Sequence, residues 1–336
     1  MTLNQRIQAF ALLGIHLEQL PAKDVESLAE RARQENPWFT KENFDRAING
    51  VRSFLKASEL AKWTNNYSLV PFKPKTIALV MAGNIPLVGF HDFLSVLISG
   101  HRVQIKLSTK DSVLLTYLIK QLVSLESSFA EAIAIKDRLE NFDAIIATGS
   151  DNSARYFESY FGKYPNIIRK NRTSCAIITG DESDNDIEKL GTDIFSYFGL
   201  GCRNVSKIYV PSKYNLTKLL SHWDLYKEII HHNKYCNNYD YQKSLLLLNR
   251  TPFLDNGFIL LQENKKLVSP ISVLYYEYYQ NEATLKIELH QNADRIQCVV
   301  GNSNLATIPF GHAQYPSVWD YADQIDTLKF LSELKV

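Results

Sequence analysis

The chain is poor in the residues that mark cross-linked or metal-built proteins. Its 336 residues include four cysteines, Cys175, Cys202, Cys236 and Cys298, widely spaced and with no Cys-x-x-Cys pair. That argues against a disulfide scaffold and a zinc cage, and it fits a reducing cytoplasm. An excess of either charge is also missing: Lys and Arg total 37 against 36 Asp and Glu, a net charge of +1. A nucleic-acid footprint, which needs a clustered basic excess, is therefore not expected. The short basic stretch Arg169-Lys170-Asn171-Arg172 reads as a solvated face or an anion site. No window approaches the roughly 18 apolar residues of a membrane span. The opening Met1-Thr2-Leu3-Asn4-Gln5-Arg6 lacks the apolar core and cleavage site of a signal peptide. Internal repeats and low-complexity segments are absent too. A soluble, cytoplasmic protein is expected, long enough for two domains.

What is present divides into two textures. Up to about residue 63 the apolar residues keep helical spacing: Ile7, Phe10, Ala11 and Gly14; then Val25, Leu28, Ala29 and Ala32; then Phe44, Ile48, Val51, Phe54 and Leu55 within a stretch from Thr40 to Trp63. Pro71 and Pro74 end this pattern. From Thr76 strands and helices alternate. Ile77 to Met81 reads as a strand buried on both faces, followed by a turn at Gly83-Asn84-Ile85-Pro86 and a helix over His91 to Ser99. Arg102 to Leu107 and Phe142 to Ala147 read as further strands, with helices over Ser112 to Glu126 and Asn152 to Phe161. Such βα repetition predicts a doubly wound sheet.

A second α/β region is expected from about Thr173. It holds a strand at Cys175 to Thr179, a helix over Asp186 to Phe198, a turn at Cys202, a strand at Lys207 to Val210 and a helix over Leu216 to His231. Apolar segments at Ser244 to Leu248, Gly257 to Leu261, Ile271 to Tyr275 and Gln297 to Val300 are candidates to complete its sheet. A turn-rich patch and a closing helix are expected from Pro309 to Val336.

Cys202 is the most informative residue. It lies in Phe198-Gly199-Leu200-Gly201-Cys202-Arg203-Asn204, a glycine-lined turn ahead of a strand, where a thiol can approach a flat electrophile. The alternative is a small buried hydrophobe, the reading that suits Cys175. Three strand ends offer further candidates, because ligands of open α/β sheets bind beyond the carboxyl ends of the strands. Asn84 can donate its side-chain amide to an oxyanion or simply serve its turn. Thr148-Gly149-Ser150-Asp151 can receive a phosphate or provide a plain helix cap. Lys106-Leu107-Ser108-Thr109-Lys110 can reach ribose or phosphate. The Gly-x-Gly-x-x-Gly fingerprint is missing, since Gly199-Leu200-Gly201 precedes a strand and not a helix.

In this order the pieces resemble the acyl-CoA reductase family typified by the fatty-acid reductase of bacterial luminescence, a shortened branch of the aldehyde dehydrogenase superfamily. The resemblance runs from about Thr76 to Leu331 and is most specific from Phe198 to Pro211. It implies an aldehyde-dehydrogenase-like α/β fold: a helical N-terminal region with a doubly wound cofactor domain (1–172), an α/β catalytic domain with the thiol (173–308) and a return segment (309–336). It implies that Cys202 is the acylated nucleophile, that Asn84 of the Asn-x-Pro motif supplies the oxyanion amide, and that Thr148, Gly149 and Ser150 lie beside the cofactor pyrophosphate. Lys106, with Ser108 and Thr109, takes the place of the lysine segment ending the second cofactor strand. Pro309-Phe310-Gly311-His312 is similar to the superfamily's Pro-Phe-Gly-Gly. An acyl-CoA or acyl-carrier-protein substrate, an acyl-transferring partner protein and a homo-oligomer are implied in the same way.

The chain also departs from the superfamily. The glutamate that activates water for hydrolysis has no counterpart in Arg169-Lys170-Asn171-Arg172, so reduction of the acyl-enzyme is expected in place of hydrolysis. The glutamate that favours NAD is Thr109 here, which points to NADPH. The glutamate that holds the nicotinamide ribose is replaced near Lys266. A different class remains open: a cysteine acyltransferase or thioesterase using the same thiol without nicotinamide, with His312 or His91 as base. A non-catalytic acyl-binding scaffold is a third reading, which intact Cys202 and Asn84 disfavour.

Overall fold

A computed structural model describes residues 1–69, 73–149 and 151–334. The chain forms two compact units, Met1–Asn171 with Pro316–Val336, and Arg172–Tyr315.

The first unit opens with four helices, α1 (Leu3–Glu18), α2 (Ala22–Glu35), α3 (Lys41–Phe54) and α4 (Ala57–Thr64). Thr2 starts α1 with a capping box and Thr40 caps α3, each hydroxyl satisfying an otherwise unpaired helix amide. The stretch from Thr40 to Trp63, read as one periodic segment, is therefore two helices with a break after Leu55. Next come β1 (Thr76–Val80), α5 (Phe90–Ile98), β2 (Arg102–Lys106), α6 (Val113–Leu125), β3 (Ile133–Ile135), β4 (Ala144–Thr148), α7 (Asp151–Phe161) and β5 (Asn166–Arg169). All five strands run parallel in the order β3-β2-β1-β4-β5. Ile77, Ala78 and Leu79 of β1 are fully enclosed, as a central strand covered on both faces requires. Phe10, Phe44, Phe90, Phe93 and Phe129 fill the core between sheet and helices, each side chain contributing roughly 1.5–3 kcal/mol by leaving water.

The second unit contains β6 (Thr173–Ile177), α8 (Asp184–Phe195), β7 (Val205–Pro211), α9 (Leu216–His222), α10 (Asn233–Leu248), β8 (Leu254–Asp255), β9 (Leu260–Glu263), β10 (Val273–Tyr279), α11 (Glu282–Gln291) and β11 (Ile296–Val300). Its six strands follow the order β11-β6-β7-β10-β9-β8, parallel except for the β8–β9 pair. Two expectations are corrected here. Ser244 to Leu248 is no strand but the last turn of α10, whose Leu247 and Leu248 face solvent. The helix expected over Leu216 to His231 stops at His222, and Asp224–His231 is a 3-10 helix beyond Trp223.

The last segment returns to the first unit, where α12 (Thr327–Ser332) buries Leu328 and Leu331 in the helical core. Tyr321 ties it down by accepting from Trp63 Nε1 at 2.7 Å, and Tyr67 donates to Asp326 at 2.9 Å. No helix among the described residues is long and apolar enough to cross a membrane.

Candidate active site

The first group of candidates sits at the carboxyl edge of the five-stranded sheet, where β1, β2 and β4 end side by side. Asn84 is solvent-exposed in the loop between β1 and α5. That loop lies hard against the one after β2: a Cβ on Gly83 would come within 2.4 Å of Ser108 Oγ and 3.1 Å of Lys110 Cβ. Only glycine permits the approach. Asn36, the C-cap of α2, donates from Nδ2 to the Gly83 carbonyl at 3.0 Å. Leu87, at φ +58°, donates its N–H to Asp111 at 2.7 Å. A left-handed leucine costs roughly 1–3 kcal/mol, and a hydrogen bond to a carboxylate offsets about that much. Burial pushes the Asp111 carboxyl up to about 7, with the Leu87 N–H opposing and Glu35 adding to the rise.

Lys106 and Thr109 are exposed and Ser108 is half-buried. Glu35 occupies the start of α6, accepting from the N–H groups of Ser112 and Val113 at 2.9 and 3.1 Å. The positive end of that helix is thus already balanced. Thr148 and Gly149 close β4, and a Cβ on Gly149 would meet Ser153 Cβ at 2.8 Å and Phe157 at 2.9 Å. The glycine lets α7 start tight against the strand, the helix–strand packing role that a glycine plays in dinucleotide folds. Ser150 lies outside the described residues.

Arg169 corrects another expectation. It is no part of a solvated face: it is 3% exposed and pairs with Asp92 in the first turn of α5 at 2.6 Å. It also donates from Nη1 to the Ala322 carbonyl and from Nη2 to the Thr327 hydroxyl.

The second group surrounds Cys202, in the turn between α8 and β7. Tyr197 and Phe198 adopt φ of +51° and +58°, two consecutive left-handed residues without glycine. Strain of this kind persists only where the surroundings enforce it, and it gathers at functional sites. Here the enforcement is explicit. Asn204, 1% exposed, accepts the Gly201 N–H at 2.8 Å and donates to the carbonyls of Asp193, Ile194 and Ser196 at the end of α8. Ser174 donates to the Cys202 carbonyl at 3.0 Å, and Arg203 donates through Nε to the Ala313 carbonyl. The backbone on both sides of the thiol is therefore fixed, while the cysteine itself stays partly accessible.

Asp193, fully buried, accepts the N–H groups of Gly311 and Ala313 at 2.6 and 2.9 Å. It joins the Pro309–Ala313 stretch to the same helix end. Burial raises its carboxyl to about 6, against the pull of those two amides and of His312 and Arg203. Cys175 is buried in the core, where desolvation pushes its thiol far up and leaves it inert. Sequence reasoning missed Asn36, Asp111, Asp193 and Asn204. Only Asn204, the last residue of the Cys202 motif, carried any local signal.

The histidines named as alternative bases have other partners. His91 Nε2 donates to the Val318 carbonyl at 2.7 Å, its ring packed among Phe54, Trp63 and Tyr321, and desolvation holds its pKa down. His312 is exposed, its Nδ1 bonded to the Phe310 carbonyl at 2.9 Å. Near Lys266, the Lys266 N–H bonds to Asn264 Oδ1 in an exposed turn after β9. Among the described residues no cluster of His, Cys, Asp and Glu could hold a metal.

A five-stranded parallel sheet with its strand-end loops, followed by a six-stranded sheet, makes an aldehyde-dehydrogenase-like fold. Solved structures share this fold. Aldehyde dehydrogenase 21 from Physcomitrella patens, in complex with succinate, superposes with a TM-score of 0.69 at 12% identity over 99% of this chain and 84% of its own. Methylmalonate-semialdehyde dehydrogenase from Oceanimonas doudoroffii gives 0.68 at 14% identity, over 98% and 84%. An NADP-dependent enzyme from E. coli gives 0.67 at 12% identity, over 92% and 77%. No curated protein matches the chain significantly in sequence. The family profile described as acyl-CoA reductase (LuxC) matches residues 15–219, and the chain belongs to that family.

Proposed function

We propose that the chain reduces an acyl thioester, acyl-CoA or acyl-carrier protein, to an aldehyde through an acyl group carried on Cys202, with NADPH as reductant. The observation that carries this reading is the Cys202 turn: two left-handed residues and three side-chain anchors hold the backbone around a half-buried cysteine. Cys202 attacks the thioester carbonyl as its thiolate. Charge develops on the carbonyl oxygen, and Asn84 and the Cys202 N–H donate to it, each donor worth roughly 2.7–4 kcal/mol. The intermediate expels the CoA or carrier thiolate and leaves a Cys202 thioester. NADPH, when bound, supplies hydride for the acyl carbon, and the Cys202 sulfur departs as the aldehyde forms.

Lys106, Ser108 and Thr109, with the Thr148-Gly149-Ser150 turn, would hold the nucleotide. The exposed Lys106 and the tight start of α7 fit an anionic ligand. Thr109 brings no negative charge to a 2′-phosphate, and the Glu35 charge is spent on α6. The family resemblance implies that water is not activated against the acyl-enzyme, because Arg169-Lys170-Asn171-Arg172 holds no carboxylate where hydrolytic relatives carry their general base. Mixing the protein with NADPH and a panel of acyl-CoA thioesters tests the reading. Nicotinamide absorbance should fall as aldehyde appears in equal amount; release of free acid with no absorbance change would overturn it in favour of a thioesterase.

A further inference from the structure

The loop that presents Asn84 is clamped at both ends by side chains that do not belong to it. At its start, the Gly83 carbonyl accepts from Asn36 Nδ2 at 3.0 Å; at its end, the Leu87 N–H donates to Asp111 Oδ2 at 2.7 Å, and both contacts are buried. Only Asn84, Ile85 and Pro86 lie between, and Pro86 fixes its own φ. Neither clamp is an economical way to build a turn. Leu87 is held left-handed at φ +58°. The other Asp111 oxygen is buried with no hydrogen-bond partner among the described residues, an arrangement that opposes folding. Asn36 is itself 4% exposed, its Oδ1 accepting the Trp38 N–H at 3.2 Å, so its donor is oriented in advance. Unfavourable geometry on both partners of one contact marks a backbone held in a set shape against its local preference.

We propose that Asn36 and Asp111 are positioning residues for Asn84, fixing the loop so that its amide meets the developing oxyanion of the Cys202 acylation. This rests on the reading of Asn84 given above. It also gives the N-terminal helices a part in catalysis, because Asn36 ends α2. A donor displaced by about 1 Å can cost about a hundredfold in rate.

The test is the single-turnover rate of Cys202 acylation by an acyl-CoA, followed by intact mass. Asn36→Ala, Asp111→Ala and Asp111→Asn are each made alone and in the Asn84→Ala background, with folding checked by circular dichroism. Alone, each alanine variant should slow acylation about tenfold or more while half-saturation by acyl-CoA moves less than about twofold. In the Asn84→Ala background the same changes should cost less than about twofold further, because the group they position is gone. Asp111→Asn, which keeps an acceptor for Leu87, should recover most of the rate. Multiplicative losses in the double variants, or unchanged acylation in folded Asn36→Ala, would overturn the positioning role. If Asn84→Ala alone leaves acylation unchanged, the oxyanion reading itself fails, and this proposal with it.

Discussion

The Asn204 side-chain oxygen accepts the Gly201 N–H at 2.8 Å, two residues from the one and one from the other of which is the thiol-bearing Cys202. The same amide's nitrogen reaches three carbonyls at the end of α8. One buried side chain thereby sets the turn that leads to the nucleophile. Asn204→Ala would leave these groups unpaired and should destabilise the protein by about 3 kcal/mol. Asn204→Asp should be worse above the carboxylate pKa, since a negative oxygen would then face carbonyl oxygens. Urea unfolding of the two variants checks that order.

Two buried carboxyls make stability fall as pH rises. Asp193 is raised from 3.8 to about 6 and Asp111 from 3.8 to about 7, in both cases chiefly by desolvation. The folded state therefore holds these protons more tightly than the unfolded chain. Their contribution is complete below pH 3.8 and is lost as pH rises through about 6 and about 7. Asp111→Asn should remove most of that slope near neutrality, where the cost of ionising Asp111 is on the order of 4 kcal/mol. The unfolding midpoint of Asp111→Asn should thus gain on the parent protein between acid and mildly alkaline buffer. A gain that shrinks with rising pH would show the opposite sign.

Arg169 and Asp92 form a buried pair at 2.6 Å. Arg169→Met should cost about 3–5 kcal/mol by leaving Asp92 uncompensated, and adding Asp92→Leu should restore much of it. Denaturation of the single and double variants measures the difference.

Thr109→Glu should shift cofactor preference toward NADH, because a carboxylate there repels a 2′-phosphate. The ratio of kcat/KM for NADPH and NADH reports it. A wild-type preference for NADH with an unchanged ratio in the variant would contradict the NADPH assignment, not the acyl transfer.

Much of the sheet architecture could be read from the sequence, because β1 and β4 are nearly continuous apolar runs, as a covered parallel strand requires, and β2 alternates polar residues with the buried Val103 and Ile105. The strands β3 and β5 were not legible: three and four residues long, they sit at the two edges of the sheet. The end of α10 misled because Leu245 to Leu248 is an apolar run of strand length, although much of it faces solvent. At the site, Cys202 and Asn84 stood out through short motifs. Their supports did not, since Asp193 meets Gly311 across 118 positions and Asn36 meets Gly83 across 47. Nor does any residue type announce the left-handed backbone at Tyr197 and Phe198, where glycine would be the usual choice.

The central claim is that Cys202 carries the acyl group, and intact-mass spectrometry after exposure to an acyl-CoA without nicotinamide tests it most directly. The account predicts one thioester adduct that persists over the measurement, is absent from Cys202→Ala, and still forms when Cys175, Cys236 and Cys298 are each replaced. An adduct of the same mass in Cys202→Ala would contradict it.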